Sequence, residues 1–245
     1  MDEHLQEDLS RIRKARIFFG HQSLGQNVLG GLSGLLDTKV PELNIIKVQA
    51  GGEAPSGPCL AHAYIGENDN PPSKIRAFGE FLDGDSSAQW DVALLKFCYL
   101  DITRETDVPK LFGMYRERVA ALRRRDPNQT LMHVTVPLTR ESLSKTFVKK
   151  ILGKPTAQDH NIKRQEYNDL LLKEFPGEPV FDFSRLESTH VDGSRESFRK
   201  SGRTYFSLAR EYTQDGGHLN ETGSKVLARE FVRVLAKALA TPASG

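Results

Sequence analysis

Short apolar runs alternate along the chain with stretches of helical period. Residues 15–19 read as a first strand that stops at Gly20, and residues 23–36 read as a helix with Leu24, Val28, Leu32 and Leu35 on one face. Residues 43–48 form a second, β-branched run. The stretch 90–98 is a third strand, apolar enough for burial on both faces; 131–136, closed by Pro137, is a fourth, and 179–183 a fifth. Helical spacing recurs at Leu111, Tyr115, Val119 and Leu122 within 108–125, at Tyr167, Leu171 and Phe175 within 162–175, and at Val226, Leu227, Phe231, Val234, Leu235 and Ala238 within 223–239. It is weaker over 73–82. Residues 2–14 carry acids first and bases last, which suits a short surface helix. The glycines within 23–36 predict close packing of that helix on a sheet. Four intervals, 51–72, 99–107, 138–160 and 184–214, read as loops.

Five strands alternating with helices predict an α/β chain: a three-layer α/β/α sandwich on a five-stranded parallel sheet, as one domain over 1–245. Ligands of such sheets bind beyond the carboxyl ends of the strands, where all four long loops emerge.

Composition narrows the function. A chain of 245 residues, 38% hydrophobic, supports one sizeable core. Its net charge of +2 comes from interleaved acids and bases, so no nucleic-acid partner is expected; Arg123-Arg124-Arg125 reads as the basic last turn of a helix. Cys59 and Cys98 fit no metal spacing and no disulfide framework, and read as buried small hydrophobes whose pairing stays open. His21, His62, His133, His160 and His190 also lack metal-ligand spacing, and Gly153-Lys154-Pro155-Thr156 lacks the context of a phosphate loop. No metal and no cofactor are therefore expected. No stretch reaches the roughly 20 apolar residues of a membrane span, and Met1-Asp2-Glu3-His4 does not open a signal peptide. A soluble chain without membrane contact is the expectation. Its compartment, cytoplasmic or that of a mature exported protein, and its oligomeric state stay open.

The chemistry concentrates at the two ends. In Gly20-His21-Gln22-Ser23-Leu24-Gly25, Ser23 is placed as the cap of a helix just after the first strand, where helix amides favour negative charge. In Asp215-Gly216-Gly217-His218-Leu219-Asn220, a carboxylate and an imidazole stand three residues apart before the last helix. Each alone is a common structural pattern. Together they supply what a hydrolytic triad requires: Ser23 as nucleophile, His218 as base and Asp215 to orient it.

On these two blocks the chain resembles the SGNH, or GDSL-type, serine hydrolases. The resemblance implies a flavodoxin-like fold, a serine after the first strand and an Asp-x-x-His motif before the last helix. The late block matches closely and includes Gly223. The early block is a variant, with Gly-His-Gln-Ser in place of Gly-Asp-Ser. The resemblance further implies an oxyanion glycine after the second strand, matched to Gly51-Gly52 with Gly52 as donor. It also implies a Gly-x-Asn-Asp block after the third strand, which aligns with Cys98-Tyr99-Leu100-Asp101 and so puts leucine in the asparagine's place. Losing one oxyanion donor typically costs about 10²–10³ in rate, so another donor is expected; Gln22 and Tyr99 rank first, then His21 and Asn27.

The leading expectation is a serine esterase, a carbohydrate esterase or acetylesterase, that removes a small acyl group from a glycan or other small-molecule ester. An O-acetyltransferase on the same fold and a catalytically silent module that binds glycan or protein are the alternatives. Tyr64, Asn68, Asp69, Arg140, His160, Arg185 and Glu187 are expected at a polar pocket rim, suited to sugar hydroxyls rather than a lipid chain.

Overall fold

The computed structural model describes residues 3–36, 43–49, 52, 55–84 and 90–240. In chain order the elements are α1 (Glu3–Ile12), β1 (Arg16–His21), α2 (Ser23–Leu35), β2 (Ile45–Lys47), β3 (Cys59–Tyr64), α3 (Pro71–Gly84), β4 (Val92–Leu95) and α4 (Val108–Arg125). They continue with β5 (Thr130–Val134), α5 (Leu143–Ile151), α6 (Ala157–Glu174), β6 (Val180–Phe181), α7 (Phe183–Ser188), β7 (Ser197–Lys200), β8 (Arg203–Phe206) and α8 (Glu221–Ala240).

β1 sits inside a parallel sheet because both of its faces are apolar. Ile17 and Phe19 point into a core shared with Leu5 and Leu9 of α1, Val28 of α2 and Phe231 of α8. Phe18, between them, points the other way, into a core shared with Phe78 of α3, Val119 of α4 and Tyr167 of α6. β4 divides in the same manner, with Val92 and Leu94 on one side and Ala93 and Leu95 on the other. Alternate side chains of a strand face opposite ways, so an unbroken apolar run fills two cores and gives three layers. Burying each such phenylalanine contributes about 1.5–3 kcal/mol.

The sheet has six strands in the order β2-β3-β1-β4-β5-β6, and every pairing within it is parallel. The α/β/α architecture is as expected, but the strand count is corrected from five to six. The added strand is β3, which lies inside the interval 51–72 read as loop and pairs directly with β1 from Arg16↔Cys59 to His21↔Tyr64. The interval 138–160 holds α5 and the start of α6, and 184–214 holds most of α7 and the β7-β8 hairpin. The glycines of α2 serve two close approaches: a Cβ on Gly25 would meet His21 of β1 at 2.3 Å, as expected of packing on the sheet, and one on Gly31 would lie 2.2 Å from the Ser224 carbonyl oxygen of α8. Cys59 and Cys98 are both buried and both free. Among the described residues no helix is long and apolar enough to cross a membrane.

Candidate active site

β1 ends at the carboxyl edge of the sheet, and α2 starts at Ser23, with Gln22 rather than Ser23 in the cap position. Ser23 is therefore the first helical residue and is exposed. Of the first amides of α2, that of Gly25 donates back to the Gln22 carbonyl at 2.9 Å, while those of Ser23 and Leu24 have no acceptor within the helix and favour developing negative charge beside the hydroxyl.

The loop before α8 delivers the other two groups. Ser23 Oγ lies 3.2 Å from His218 Nε2. His218 Nδ1 lies 2.8 Å from Asp215 Oδ2. A carboxylate only accepts, so Nδ1 carries the ring proton and Nε2 is left as the acceptor facing the serine hydroxyl. Asp215 is itself fixed, because its Oδ1 accepts the amide protons of Gly217 and His218, each at 2.8 Å. Partial burial works to raise the Asp215 carboxyl, but those amides and the imidazole together hold it well below the ordinary carboxylate range. The two end blocks thus meet at one edge of the sheet, across 195 positions of sequence.

The unusual His21-Gln22 pair builds the floor and the near wall. His21 is fully buried. Its Nδ1 lies 2.7 Å from the Gln22 carbonyl oxygen, which can only accept, so Nε2 accepts in turn from His62 Nδ1 at 3.0 Å. Burial pushes His21 down to about 3 and lowers His62 as well. A Cβ on Gly25 would meet the His21 ring at 2.3 Å, which accounts for glycine two residues after the serine. Gln22 donates its side-chain amide to the carbonyls of Ile65 and Gly66, both at 3.0 Å. Neither side chain is thus presented as the expected oxyanion donor: His21 lies beneath the turn, and the Gln22 amide fastens the loop after β3.

That loop corrects the expectation for Gly52. Gly51 lies outside the described residues, and the Gly52 N–H donates to the Gln49 carbonyl in its own turn, at 3.1 Å. Gly52 also follows β2, an edge strand separated from β1 by β3. The glycine that ends the strand beside β1 is Gly66. Its φ of +60° and the 2.6 Å approach of a notional Cβ to Lys74 both require glycine. It opens Gly66-Glu67-Asn68-Asp69, the Gly-x-Asn-Asp order sought after a different strand, and Asp69 holds a left-handed φ of 63°. Asn68 Oδ1 accepts from Lys74 Nζ at 2.8 Å, and the same ammonium reaches Asp101 Oδ2 at 2.6 Å. Cys98-Tyr99-Leu100-Asp101 therefore contributes a buried carboxylate that holds the Asn68 loop, while Leu100 is partly exposed.

Tyr99 stands edge-on to the His218 ring, with centroids 5.9 Å apart, and forms a wall against the imidazole. Asn27 is half-buried on α2, and its Oδ1 has no partner. Beyond Asp215 opens a groove of about 660 Å³ lined by Arg140, Glu141, Ser142, Phe198, Arg210, Gln214 and others. Among the residues expected at the rim, Tyr64, Asn68 and Asp69 are exposed on β3 and the loop after it, and Arg140 lines this groove. Glu187 is fully buried instead, where it accepts the Leu138 amide proton; burial pushes its carboxyl up to about 8. His160 accepts from the Arg104 amide at 3.1 Å, and Arg185 lines other clefts beside α7.

No family model matches the chain, and no curated protein matches it by sequence. Solved structures do. A Streptococcus pneumonia protein described as a platelet activating factor superposes with a TM-score of 0.53 at 15% identity, covering 97% of this chain and 92% of that one. A carbohydrate esterase family 3 structure from Talaromyces cellulolyticus superposes with a TM-score of 0.51 at 13% identity, covering 92% of this chain and 97% of that one. At these identities the likeness establishes a shared fold over nearly the whole length.

Proposed function

We propose that the chain is a serine esterase of SGNH type that hydrolyses a small acyl ester, foremost an O-acetyl group on a carbohydrate. The observation that carries this reading is the contact sequence Ser23 Oγ to His218 Nε2 and His218 Nδ1 to Asp215, with the ring tautomer a general base needs. In the first half-reaction Ser23 Oγ attacks the ester carbonyl, and its proton passes to His218 Nε2 and then to the departing sugar hydroxyl. In the second, water attacks the acyl-serine, His218 takes the water's proton, and the carboxylic acid leaves as Ser23 regains its hydrogen. Asp215 stabilises the imidazolium in both. For the oxyanion the reading uses the Ser23 amide at the start of α2, the Gly66 amide and the side-chain nitrogen of Asn68, on a loop that Gln22 and Lys74 hold beside the serine.

Exposure of Ser23 and of the His218 ring favours hydrolysis over O-acetyl transfer, because transfer requires water to be kept from the acyl-serine. The intact Ser-His-Asp contacts weigh against a silent binding module. The similarity to a carbohydrate esterase and the polar groove beyond Asp215 support a glycan carrier. Release of acetate from O-acetylated oligosaccharides, compared between wild type and His218→Ala, tests the assignment; equal release by both would remove it.

A further inference from the structure

α5 presents an apolar face that nothing among the described residues covers. Leu143 is 88% exposed, Phe147 66%, Val148 53% and Ile151 69%, with Leu152 just beyond the helix at 61%. These are five of the ten large hydrophobic side chains exposed among the described residues, gathered in one short segment. No residue of α5 is buried, although Ser142 caps it and accepts the Lys145 amide proton. Each helical residue turns by about 100°, which puts the five apolar side chains on one side with Lys145 and Lys150 at its two margins. The segment 142–158 contains Lys145, Lys149, Lys150 and Lys154 and no acidic residue. Lys149 pairs with Glu141 at 2.7 Å. The other three have no ion-pair partner among the described residues.

We propose that α5 docks on an anionic lipid surface, its apolar face entering the headgroup and acyl boundary and Lys145, Lys150 and Lys154 meeting the lipid phosphates. A helix with a large apolar side and lysines along the margin is built for that boundary, where burial and charge attraction act together. A second copy of the chain fits less well. A two-fold contact through this face would bring the lysines of both helices together with no acid on the segment to offset them.

Docking here also orients the chemistry. The chain leading into α5 is tied to the catalytic loop by the Arg140 amide donating to the Gly216 carbonyl at 2.8 Å. Leu143 and Lys145 line the same groove as Asp215. The groove would therefore open close to the lipid surface, and the ester would be taken from a carrier held there. This last consequence rests on the serine-esterase reading, whereas docking itself does not.

The test is co-sedimentation of the full chain with vesicles of phosphatidylcholine alone or mixed with phosphatidylglycerol. The protein should bind the mixed vesicles, weaken at high salt, and lose about fivefold in affinity for each of Lys145→Gln and Lys150→Gln. Phe147→Asp with Ile151→Asp should abolish binding, with folding verified by circular dichroism. Phe147→Trp provides a direct readout, since its emission should shift to the blue on mixed vesicles and stay unchanged on neutral ones. Ser23→Ala should bind as wild type does, so failure of the esterase reading leaves this result intact. Absence of wild-type binding, unaltered binding by the double Asp variant, or a solution dimer that the double variant dissociates would overturn the proposal.

Discussion

Gln22 donates its side-chain amide to the Gly66 carbonyl at 3.0 Å and thereby clamps the loop after β3 to the turn that carries Ser23. The side chain thereby ties the turn carrying Ser23 to the loop that holds the proposed oxyanion donors. Gln22→Ala releases the clamp while leaving both cores untouched. We predict a fall in kcat of about 10²-fold, with KM little changed and the melting temperature close to wild type, because small displacements at a reacting centre cost that much. Steady-state kinetics on an acetyl ester decide it; unchanged kcat would remove Gln22 from the positioning role.

Lys74 and Asp101 form an ion pair with both side chains fully buried. It links α3 to the turn after β4 and supports Asn68. Lys74→Met should destabilise the protein by about 3–5 kcal/mol, since the variant leaves a buried carboxylate without its partner. Urea unfolding at neutral pH measures this, and a change below about 1 kcal/mol would show that water already reaches the pair.

The His21-His62 pair predicts a pH dependence. His21 is pushed down to about 3 by burial, with the ammonium groups of Lys96 and Lys47 adding to the effect. A base whose folded value lies below its unfolded one keeps its full contribution to stability above the unfolded value and loses it as pH falls toward the folded value. The window therefore runs from about 6.5 down to about 3. Between pH 7.5 and pH 4.5 the contribution from His21 should fall by about 2–3 kcal/mol. His21→Gln should flatten that part of the profile, and parallel stability curves for the two proteins would contradict the buried neutral pair.

Much of this fold was legible in the sequence. β1 and α4 follow directly from the apolar pattern, and the Ser23 and Asp215-His218 blocks are local motifs whose meeting needs only a parallel sheet. β3 is not legible in the sequence because Cys59-Leu60-Ala61-His62-Ala63-Tyr64 has no β-branched residue and lies among prolines; its strand state comes from burial between β1 and β2. That omission displaced the expected glycine from Gly66 to Gly52 and hid Gly66-Glu67-Asn68-Asp69 in a supposed loop. Glu187 reads as a rim residue in the sequence because nothing local reveals that α7 buries this face. α5 lies inside the interval 138–160 that reads as loop, because its lysines interrupt a one-sided apolar face that only the helix geometry separates.

The groove beside Asp215 predicts the acyl preference. Its lining combines Arg140, Glu141, Ser142, Arg210, Thr213 and Gln214 with Leu143 and Phe198, so polar and charged groups outnumber apolar ones and suit hydroxyls better than a long hydrocarbon chain. Acetyl esters of p-nitrophenol should be cleaved with higher kcat/KM than octanoyl or longer ones. The opposite order would replace the glycan carrier with a lipid substrate.

The most direct test of the esterase assignment is p-nitrophenyl acetate hydrolysis by wild type and Ser23→Ala, with circular dichroism confirming that both are folded. We predict turnover by wild type and a loss of at least about 10³-fold in kcat for the variant, as removal of a nucleophile from a serine triad requires. Equal rates for the two proteins, or a wild-type rate no higher than that of buffer, would contradict the assignment.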